Sequence, residues 1–410
     1  MTIDILYGFV PAEEQPFEII ERKGFGHPDT MADTLAEELS IAYSRYCLSH
    51  FGAILRHQFD KLTLMCGRSE VAFGGGRITS PIRILINGRA SPRLGAEQIP
   101  LNDIFLRTVQ GYFAAHFPML NVEKDLRFLI ETNHSTTGGI RGEGQANEAA
   151  IHYRFNPRTL ADLPETVLRE ANDTSMGCAY APFSPLENLV KELEAWLNGD
   201  AFKTQRPWMG SDIKIMAYRN GKRVALTIAA PLLSGLITSF EHYSQCLSVV
   251  EREIREFARV RYAVTDLSLT LNAGDDIHIR KLYMNWTGSS IESGDEGQVG
   301  RGNRLGGVIA PLRPFTMEGI SGKNPVYHAG KVYSAAAFDI ASRLYSEFNI
   351  PVEVYLLSQM ARPLHDPWKL LVRFARGAVP ENAISAIATE VLNDFPAITN
   401  RLLEGKYVIC

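Results

Sequence analysis

The sequence predicts an α+β fold in which mixed or antiparallel sheets carry helices on one face. Segments with the two-residue alternation of strands often follow one another along the chain, which favours antiparallel or mixed pairing. Longer segments of helical period lie between these groups. Of the 410 residues, 45% are hydrophobic and 21% are charged, so the chain can bury a full core. This length corresponds to two or three domains, or to one large one.

The first helix is predicted over residues 29–50, after an extended segment at 16–23 and the motif GFGHPDT. Pro28 suits the first turn of a helix, where its missing N–H costs nothing. His27 and Asp29 therefore lie at a helix N-terminus, where free N–H groups and the helix dipole favour an anion. The apolar residues that recur near helical spacing are Met31, Leu35, Leu39, Ala42 and Tyr46.

The later elements follow from the same periodicities and from turn residues. Strands are predicted at 61–67, 80–90, 126–132, 149–155 and 368–375. A further strand is predicted to begin at residue 351 and to run into a loop. Helices are predicted at 103–117, 240–262, 333–348 and 380–393, and from an N-cap at Ser184 to about residue 197. A hairpin is predicted about Asn220 and Gly221, and a pair of strands at 264–272 and 278–287 about the turn AGDD. The polar stretch 133–148 is predicted to be a mobile loop.

Composition excludes several classes of protein. The net charge of -4 shows no basic excess, which argues against nucleic acid as the main partner. The N-terminus lacks a signal-peptide pattern, and no run of eighteen apolar residues predicts a membrane span. Five cysteines without a CxxC pair predict a reducing cytoplasm, with neither a disulfide framework nor a zinc site. They are Cys47, Cys66, Cys178, Cys246 and Cys410.

A glycine-rich, charge-dense stretch at 294–331 is the strongest candidate for a binding site. Glycine lets a backbone approach a ligand closely, and guanidinium and ammonium groups bind phosphate oxygens. Carboxylates among these cations suggest a hard metal ion, so the stretch predicts a site for a polyphosphate with Mg²⁺. The alternative is a long surface loop whose charges are solvated. The charged residues are Asp295, Glu296, Arg301, Arg304, Arg313, Lys323 and Lys331.

Two shorter motifs offer groups for acid–base or metal chemistry. In GFGHPDT, Asp29 could bind a metal and His27 could donate to a phosphate or a leaving oxygen; a capping or core histidine is the alternative. In GSDIK, Asp212 and Lys214 share one face of a predicted strand. They form either a plain ion pair or a metal- and phosphate-binding pair.

Other motifs narrow the choice of nucleotide site. In NDTS at 172–175, Asp173 is either a turn residue or a ligand for adenine, ribose or an ammonium group. SGKN at 321–324 lacks the spacing of a Walker A loop. GEGQAN at 142–147 lacks the third glycine of a dinucleotide fingerprint. A P-loop NTPase and a Rossmann dehydrogenase are therefore not predicted.

Five motifs together resemble the archaeal-type methionine adenosyltransferases (S-adenosylmethionine synthetases): RKGFGHPDT, ANDTSMGCAYAP, GSDIKIM, SGDEGQVGRGNR and SGKNPVYHAGKVY. They occur in that family's order from residue 21 to about 335, and SQMARPLHDP at 358–367 is also similar. The resemblance implies three similar α/β domains in a pseudo-threefold arrangement. We assign these to 1–135, 136–275 and 276–410, interleaved in space, with the main phosphate-binding loop in the last. It also implies a homodimer with active sites shared between subunits.

The resemblance further implies a reaction in which methionine sulfur attacks C5′ of ATP. The expelled triphosphate is then cleaved to pyrophosphate and phosphate. A thioether needs no general base, and the departing charge needs fixed cations. Two Mg²⁺ ions, and often K⁺, are implied. The implied cationic groups are Lys214, Arg301, Arg304, Lys323 and Lys331. His27 would assist the leaving oxygen, Asp29 and Asp212 would hold Mg²⁺ or position phosphates, Asp173 would contact methionine or nucleoside, and Asp295 would contact methionine or the second metal.

One loop departs from the family's pattern. The family has a GQGSVD-like loop before NDTS, and GEGQAN is the corresponding segment here. We expect its residues Gly142, Glu143, Gly144, Gln145, Ala146 and Asn147 to bind substrate. Gln145 replaces a serine and Asn147 an aspartate, so a methionine analogue or another nucleotide is an alternative substrate. A non-catalytic nucleotide-binding subunit is the remaining alternative.

Overall fold

The computed structural model describes residues 3–135 and 153–410. The predicted loop at 133–148 and the predicted strand at 149–155 lie mostly outside these residues, as does the whole predicted substrate segment 142–147. Residues 153–155, the described end of that predicted strand, form a turn.

The described elements alternate irregularly between helix and strand. The helices are α1 (Pro28–Phe51), α2 (Leu101–His116), α3 (Pro164–Leu168), α4 (Pro185–Asn198), α5 (Asp200–Gln205), α6 (Phe240–Tyr262), α7 (Ala329–Phe348), α8 (Glu381–Asn393) and α9 (Phe395–Leu403). The strands up to residue 133 are β1 (Ile3–Tyr7), β2 (Phe17–Lys23), β3 (His57–Gln58), β4 (Thr63–Met65), β5 (Arg68–Ala72), β6 (Gly75–Ser80), β7 (Ile82–Ala90), β8 (Arg93–Leu94), β9 (Glu97–Gln98) and β10 (Leu126–Asn133). The later strands are β11 (Met176–Ala181), β12 (Lys214–Asn220), β13 (Arg223–Ala229), β14 (Leu232–Leu233), β15 (Leu267–Leu271), β16 (Met284–Asn285), β17 (Gly297–Gln298), β18 (Val352–Leu357) and β19 (Lys369–Phe374).

One sheet has the strand order β1-β19-β18-β11. β1 runs parallel to β19, and the other two pairs are antiparallel. Helices α7, α8 and α9 pack against this sheet through a buried core that includes Ile340 and Val354. Gly177 allows β11 to approach α7 closely, because a Cβ at that position would overlap the backbone at Ser334.

A second sheet has the order β15-β13-β12-β2. The hairpin of β12 and β13 turns at Asn220 and Gly221, and Gly221 adopts a φ of 55° that glycine tolerates without strain. The predicted hairpin is therefore confirmed. Helices α4 and α6 pack on the sheet through residues such as Leu193 and Val250. Ser184 caps α4 in the predicted capping box with Glu187.

The predicted pairing of 264–272 with 278–287 is wrong. β15 instead runs parallel to β13, because α6 crosses between them as a strand–helix–strand connection. The second segment contains only β16, which pairs with β14. The intervening turn is held by side chains: Asp275 accepts a hydrogen bond of 2.8 Å from the backbone of Tyr283 and one of 2.5 Å from the hydroxyl of Tyr243.

A third sheet has the order β10-β7-β4-β17, with β3 also paired to β7. Helices α1 and α2 pack on it around Leu35 and Phe105. β17 belongs to the glycine-rich stretch and pairs with β4 from early in the chain. This pairing brings residues 297–298 beside α1, which carries the GFGHPDT motif at its N-terminus.

The α+β class and the mixed sheets are confirmed, and helices α1, α2, α4, α6 and α8 form close to their predicted positions. α7 begins four residues earlier than predicted, and several elements were not predicted, among them β1, β11 and α9. Each large sheet contains strands from distant parts of the chain. The division at residues 135 and 275 and the pseudo-threefold arrangement remain predictions. None of the described helices combines the length and hydropathy that a membrane crossing requires.

Candidate active site

His27 caps the N-terminus of α1. Its Nδ1 accepts a hydrogen bond of 3.2 Å from the backbone N–H of Asp29, so a neutral ring carries its proton on Nε2. Nε2 lies 4.0 Å from Oδ2 of Asp295. Burial lowers the pKa of His27 and outweighs the opposing effect of Asp212 and Asp29. The imidazole is therefore neutral near pH 7 and can donate from Nε2.

Three carboxylates from separate motifs lie around His27, those of Asp29, Asp212 and Asp295, and each affects its charge. Asp212 is 2% exposed, and its Oδ2 accepts a 2.9 Å hydrogen bond from the backbone of Ser290. The Ser290 hydroxyl also donates to Asp212 and lies 3.3 Å from Oδ2 of Asp295. Burial raises the pKa of Asp212, against the effects of His27 and Ser290.

The chemistry of these carboxylates fits part of a magnesium site. Within 3–135 and 153–410, no group of three or more His, Cys, Asp or Glu side chains is arranged to hold a metal ion. Mg²⁺ at phosphate sites is usually bound by one or two carboxylates, with phosphate oxygens and waters completing its shell. Asp29, Asp212 and Asp295 supply hard oxygen ligands of this kind. A substrate phosphate would complete the set.

Two lysines face each other across β2 and β12. Lys23 and Lys214 are cross-strand partners, so their side chains share one face of the sheet. Nζ of Lys23 donates to Oδ2 of Asp29 at 2.8 Å and to the backbone oxygen of Arg301 at 2.7 Å. Nζ of Lys214 lies 3.1 Å from Oε1 of Glu21. The Arg301 residue is exposed. Lys23 thus places a positive charge on the Asp29 carboxylate and ties the backbone at Arg301 to it.

One face of α1 holds the glycine-rich stretch in place. Asp29, Asp33 and Glu37 recur every four residues and therefore lie on the same side of the helix. Each accepts one backbone N–H from the stretch: Asp29 from Gln298 at 3.0 Å, Asp33 from Gly300 at 2.8 Å, and Glu37 from Gly322 at 3.0 Å. We call these three residues the acidic ladder of α1. Arg304 adds a 2.7 Å hydrogen bond from its guanidinium to the backbone oxygen of Gly300.

The two lysines at the end of the stretch have different environments. Lys331 is fully buried, and its Nζ lies 2.6 and 2.5 Å from the two carboxylate oxygens of Glu37 and 2.9 Å from the backbone oxygen of Lys323. Lys323 contacts the carboxylate of Glu318, and its Nζ lies 3.8 Å from Oδ2 of Asp60. Burial lowers the pKa of Lys323 to about 8.

The NDTS segment lies beside Lys323 at the start of α7. Asn172 accepts a 2.9 Å hydrogen bond from the backbone N–H of Ala329 and so caps α7. Asp173 is exposed, and its negative charge opposes the larger effect of burial on the pKa of Lys323. His328, which precedes α7, is 5% exposed, and its Nδ1 has no hydrogen-bond partner among the described residues. Burial, with the charge of Lys323 nearby, holds the pKa of His328 well below its usual range.

The predicted residues thus fall into two groups. His27, Asp29, Asp212 and Asp295 come together, with Lys214 and the backbone of Arg301 linked to them through Lys23. The second group consists of Lys323 and Asp173 near the start of α7. Two further residues belong to neither group: the Arg304 guanidinium binds the backbone of Gly300, and Lys331 is fully buried. Residues that the motif argument did not single out are Lys23, Asp33, Glu37, Ser290 and His328. Among these, Asp33 and Glu37 could have been found, because their four-residue spacing from Asp29 predicts one shared helix face. The roles of the other three depend on contacts between distant parts of the chain.

The fold and these two groups define an α+β protein that joins a helix N-terminus, carboxylates and several cations, as sites for phosphate chains do. Comparison with protein families gives a match over residues 6–406 to the model of S-adenosylmethionine synthetase (AdoMet synthetase). The chain belongs to this family.

Similar proteins span nearly the same length. The S-adenosylmethionine synthase of Hyperthermus butylicus is 38% identical over 413 residues, covering 97% of each chain. That of Pyrobaculum neutrophilum is 36% identical, covering 97% of this chain and 96% of its own. The structure of an unusual S-adenosylmethionine synthetase from Campylobacter jejuni matches with a TM-score of 0.52, covering 95% of this chain and 88% of the other. At 12% identity, that match supports the fold alone.

Proposed function

We propose that the chain is a methionine adenosyltransferase, which forms S-adenosylmethionine from ATP and L-methionine. The sulfur attacks C5′ of ATP and expels triphosphate, which is then cleaved to pyrophosphate and phosphate. Family membership over residues 6–406 supports the reaction. The observation that carries the site assignment is the convergence of His27, Asp29, Asp212 and Asp295 from distant motifs, with Asp295 4.0 Å from Nε2 of His27 and Ser290 in contact with both Asp212 and Asp295.

In this proposal His27 donates to the oxygen that leaves C5′. Its buried ring is neutral and holds its proton on Nε2, because Nδ1 accepts from the backbone of Asp29. A neutral donor of this kind stabilises negative charge as it develops on the leaving oxygen. The sulfur of methionine carries no proton, so the site needs no general base to activate it.

The chain's cations hold the phosphate chain. Lys214 and Arg301 would act near the carboxylates and Lys323 at the start of α7, with Arg304 supporting the loop through Gly300. Such fixed charges stabilise a departing anion without reorganising during the reaction. Lys331 would act indirectly, because its ammonium group is paired with Glu37 and holds the backbone of Lys323.

Asp29 and Asp212, together with Asp295, would hold Mg²⁺. We propose two Mg²⁺ ions by analogy with the family. Bound Mg²⁺ would neutralise part of the charge on the phosphate chain. A requirement for K⁺ is also proposed on the resemblance alone. Asp173 would contact methionine or the nucleoside, since it lies exposed beside Lys323. Gly142 to Asn147 would form the remaining substrate contacts.

A homodimer with shared active sites is part of the proposal. Large apolar side chains on strands support it: Leu129 on β10 is 44% exposed, and Met216 and Tyr218 on β12 are 39% and 42% exposed. A second copy would cover them. A cytoplasmic location is supported by five cysteines that are all free thiols.

The test is to incubate the purified chain with ATP, L-methionine, Mg²⁺ and K⁺ and to analyse products by mass spectrometry. S-adenosylmethionine, pyrophosphate and phosphate should form in equal amounts. A parallel screen of methionine analogues and other nucleotides tests the alternative that the changed 142–147 segment raises, and faster reaction of another pair would favour it. Nucleotide binding without any product would instead favour a non-catalytic subunit.

A further inference from the structure

Lys323 is already paired inside the chain with a carboxylate. Glu318 contacts Nζ of Lys323 through Oε1, and its Oε2 accepts a 2.9 Å hydrogen bond from the hydroxyl of Ser175. The Lys323 side chain is only 8% exposed. Carboxylate oxygens therefore take positions beside this ammonium group that phosphate oxygens would otherwise occupy.

The position of Glu318 also favours any anion. Its side chain packs against Gly330, the second residue of α7, so closely that a Cβ at 330 would overlap it. The N-terminus of a twenty-residue helix favours negative charge. The Lys323 ammonium group and the N-terminus of α7 thus both adjoin the Glu318 carboxylate, and both would equally favour a phosphate.

Glu318 lies on a surface segment between Arg313 and the buried core residue Ile320. Phe315 is 50% and Met317 is 83% exposed. On one side the segment is anchored by Arg313, whose guanidinium lies 2.8 Å from Glu187. On the other side, Gly322 is anchored to α1 through Glu37. None of residues 314–319 is buried, so local movement of this part of the segment costs little.

We propose that Glu318 is an internal competitor for the phosphate chain: it occupies Lys323 in the free chain and leaves when a polyphosphate binds. This inference rests on the proposed role of Lys323. Asp60 already lies 3.8 Å from the Lys323 ammonium group, and a phosphate added beside Glu318 would place further negative charge at the same cation, so phosphate and Glu318 compete for it. The apparent affinity for polyphosphate then falls with the fraction of chains in which Glu318 has moved away. The returning carboxylate also promotes release of the cleaved phosphate products.

The experiment measures binding of inorganic tripolyphosphate by calorimetry at fixed pH and Mg²⁺ concentration. Glu318→Gln removes the competing charge and should lower Kd about tenfold. Ser175→Ala removes only the hydrogen bond that holds Glu318 in place and leaves the net charge unchanged, so it should lower Kd about threefold. The control is Glu381→Gln, at an exposed position at the start of α8. It makes the same charge change far from the site's residues in sequence, and its Kd for tripolyphosphate should equal that of the parent.

Unchanged or weaker binding by Glu318→Gln overturns the proposal. Unchanged binding would mean that Glu318 does not affect tripolyphosphate, and weaker binding would mean that Glu318 helps to bind it. Tighter binding by Glu318→Gln without any effect of Ser175→Ala also overturns it, because a long-range charge effect would suffice. The parent is assayed for S-adenosylmethionine in parallel. Product formation with unaltered Kd values refutes only the competitor, whereas failure to form product refutes the proposed function itself.

Discussion

The backbone N–H of Gly300 donates a hydrogen bond of 2.8 Å to Oδ1 of Asp33, one turn beyond Asp29 on α1. This contact joins the first helix to a loop that lies 267 positions later in the chain. Burial raises the pKa of Asp33 to about 6, against the effects of Gly300 and Arg304. Ionisation of Asp33, the middle residue of the acidic ladder, therefore lowers the stability of the folded chain.

Replacing Asp33 should stabilise the chain in a pH-dependent way. Because the pKa of Asp33 rises from 3.8 unfolded to about 6 folded, its favourable contribution is full below pH 4 and is lost as pH rises through 6. Two pKa units correspond to about 3 kcal/mol. Asp33→Asn keeps an oxygen for Gly300 and should melt at a higher temperature than the parent at pH 7.5, with the difference vanishing at pH 4. Asp266→Asn, at an exposed position, is the control; a gain independent of pH would contradict the argument.

His27→Asn separates capping from catalysis. Asparagine is a good N-cap, so the N-terminus of α1 should persist and the melting temperature should change little. The donor at Nε2 is lost, and kcat should fall about 100-fold, with a smaller effect on KM for ATP. Steady-state kinetics over both substrates give these values. Retention of kcat would mean that His27 serves the helix cap and not the leaving oxygen.

Lys323→Ala should lower kcat by about 100- to 1,000-fold, because one fixed donor to a developing anion contributes this much. Folding should persist, because the Glu318 carboxylate that loses its partner is 22% exposed and keeps its hydrogen bond from Ser175. Lys222→Ala, at an exposed position beside the β12–β13 turn, is the matched control and should leave kcat unchanged. Equal turnover by both variants would remove Lys323 from the site.

Lys331→Met should lower the stability of the chain more than Lys323→Ala or Lys222→Ala does. It leaves the Glu37 carboxylate buried without its ammonium partner, which costs about 3–5 kcal/mol. Adding Glu37→Gln removes the uncompensated charge and should restore part of the loss. Thermal melting of the two single variants and the double variant measures this coupling. If Lys331→Met melts with the parent while losing activity, Lys331 contacts the phosphate chain directly.

Local sequence was enough to predict features that depend on neighbouring residues. His27 was placed correctly at a helix start because Pro28 and the apolar period follow it directly. The hairpin at Asn220 and Gly221 was found for the same reason, since its turn residues require a particular backbone conformation. Asp33 and Glu37 have helical spacing from Asp29, yet nothing in that spacing identifies their partners in the glycine-rich stretch.

Long-range contacts account for what the sequence could not predict. The family resemblance makes Lys331 one of the predicted cations of the site, and local sequence does not reveal that Glu37, 294 positions away, pairs with it in the interior. Ser290 contacts Asp212, which lies 78 positions earlier in the chain, so local sequence does not reveal this pair. The pairing of β15 with β13 depends on how α6 crosses the sheet, which the alternation within a strand does not encode.

The position of bond cleavage tests the central claim most directly. ATP labelled with ¹⁸O at the oxygen that bridges C5′ and the α-phosphorus is converted in the presence of L-methionine, and the products are examined by mass spectrometry. Attack of sulfur on C5′ predicts unlabelled S-adenosylmethionine, with all of the label in the pyrophosphate and phosphate released. Label retained on a nucleoside product, or the absence of S-adenosylmethionine, would contradict the account.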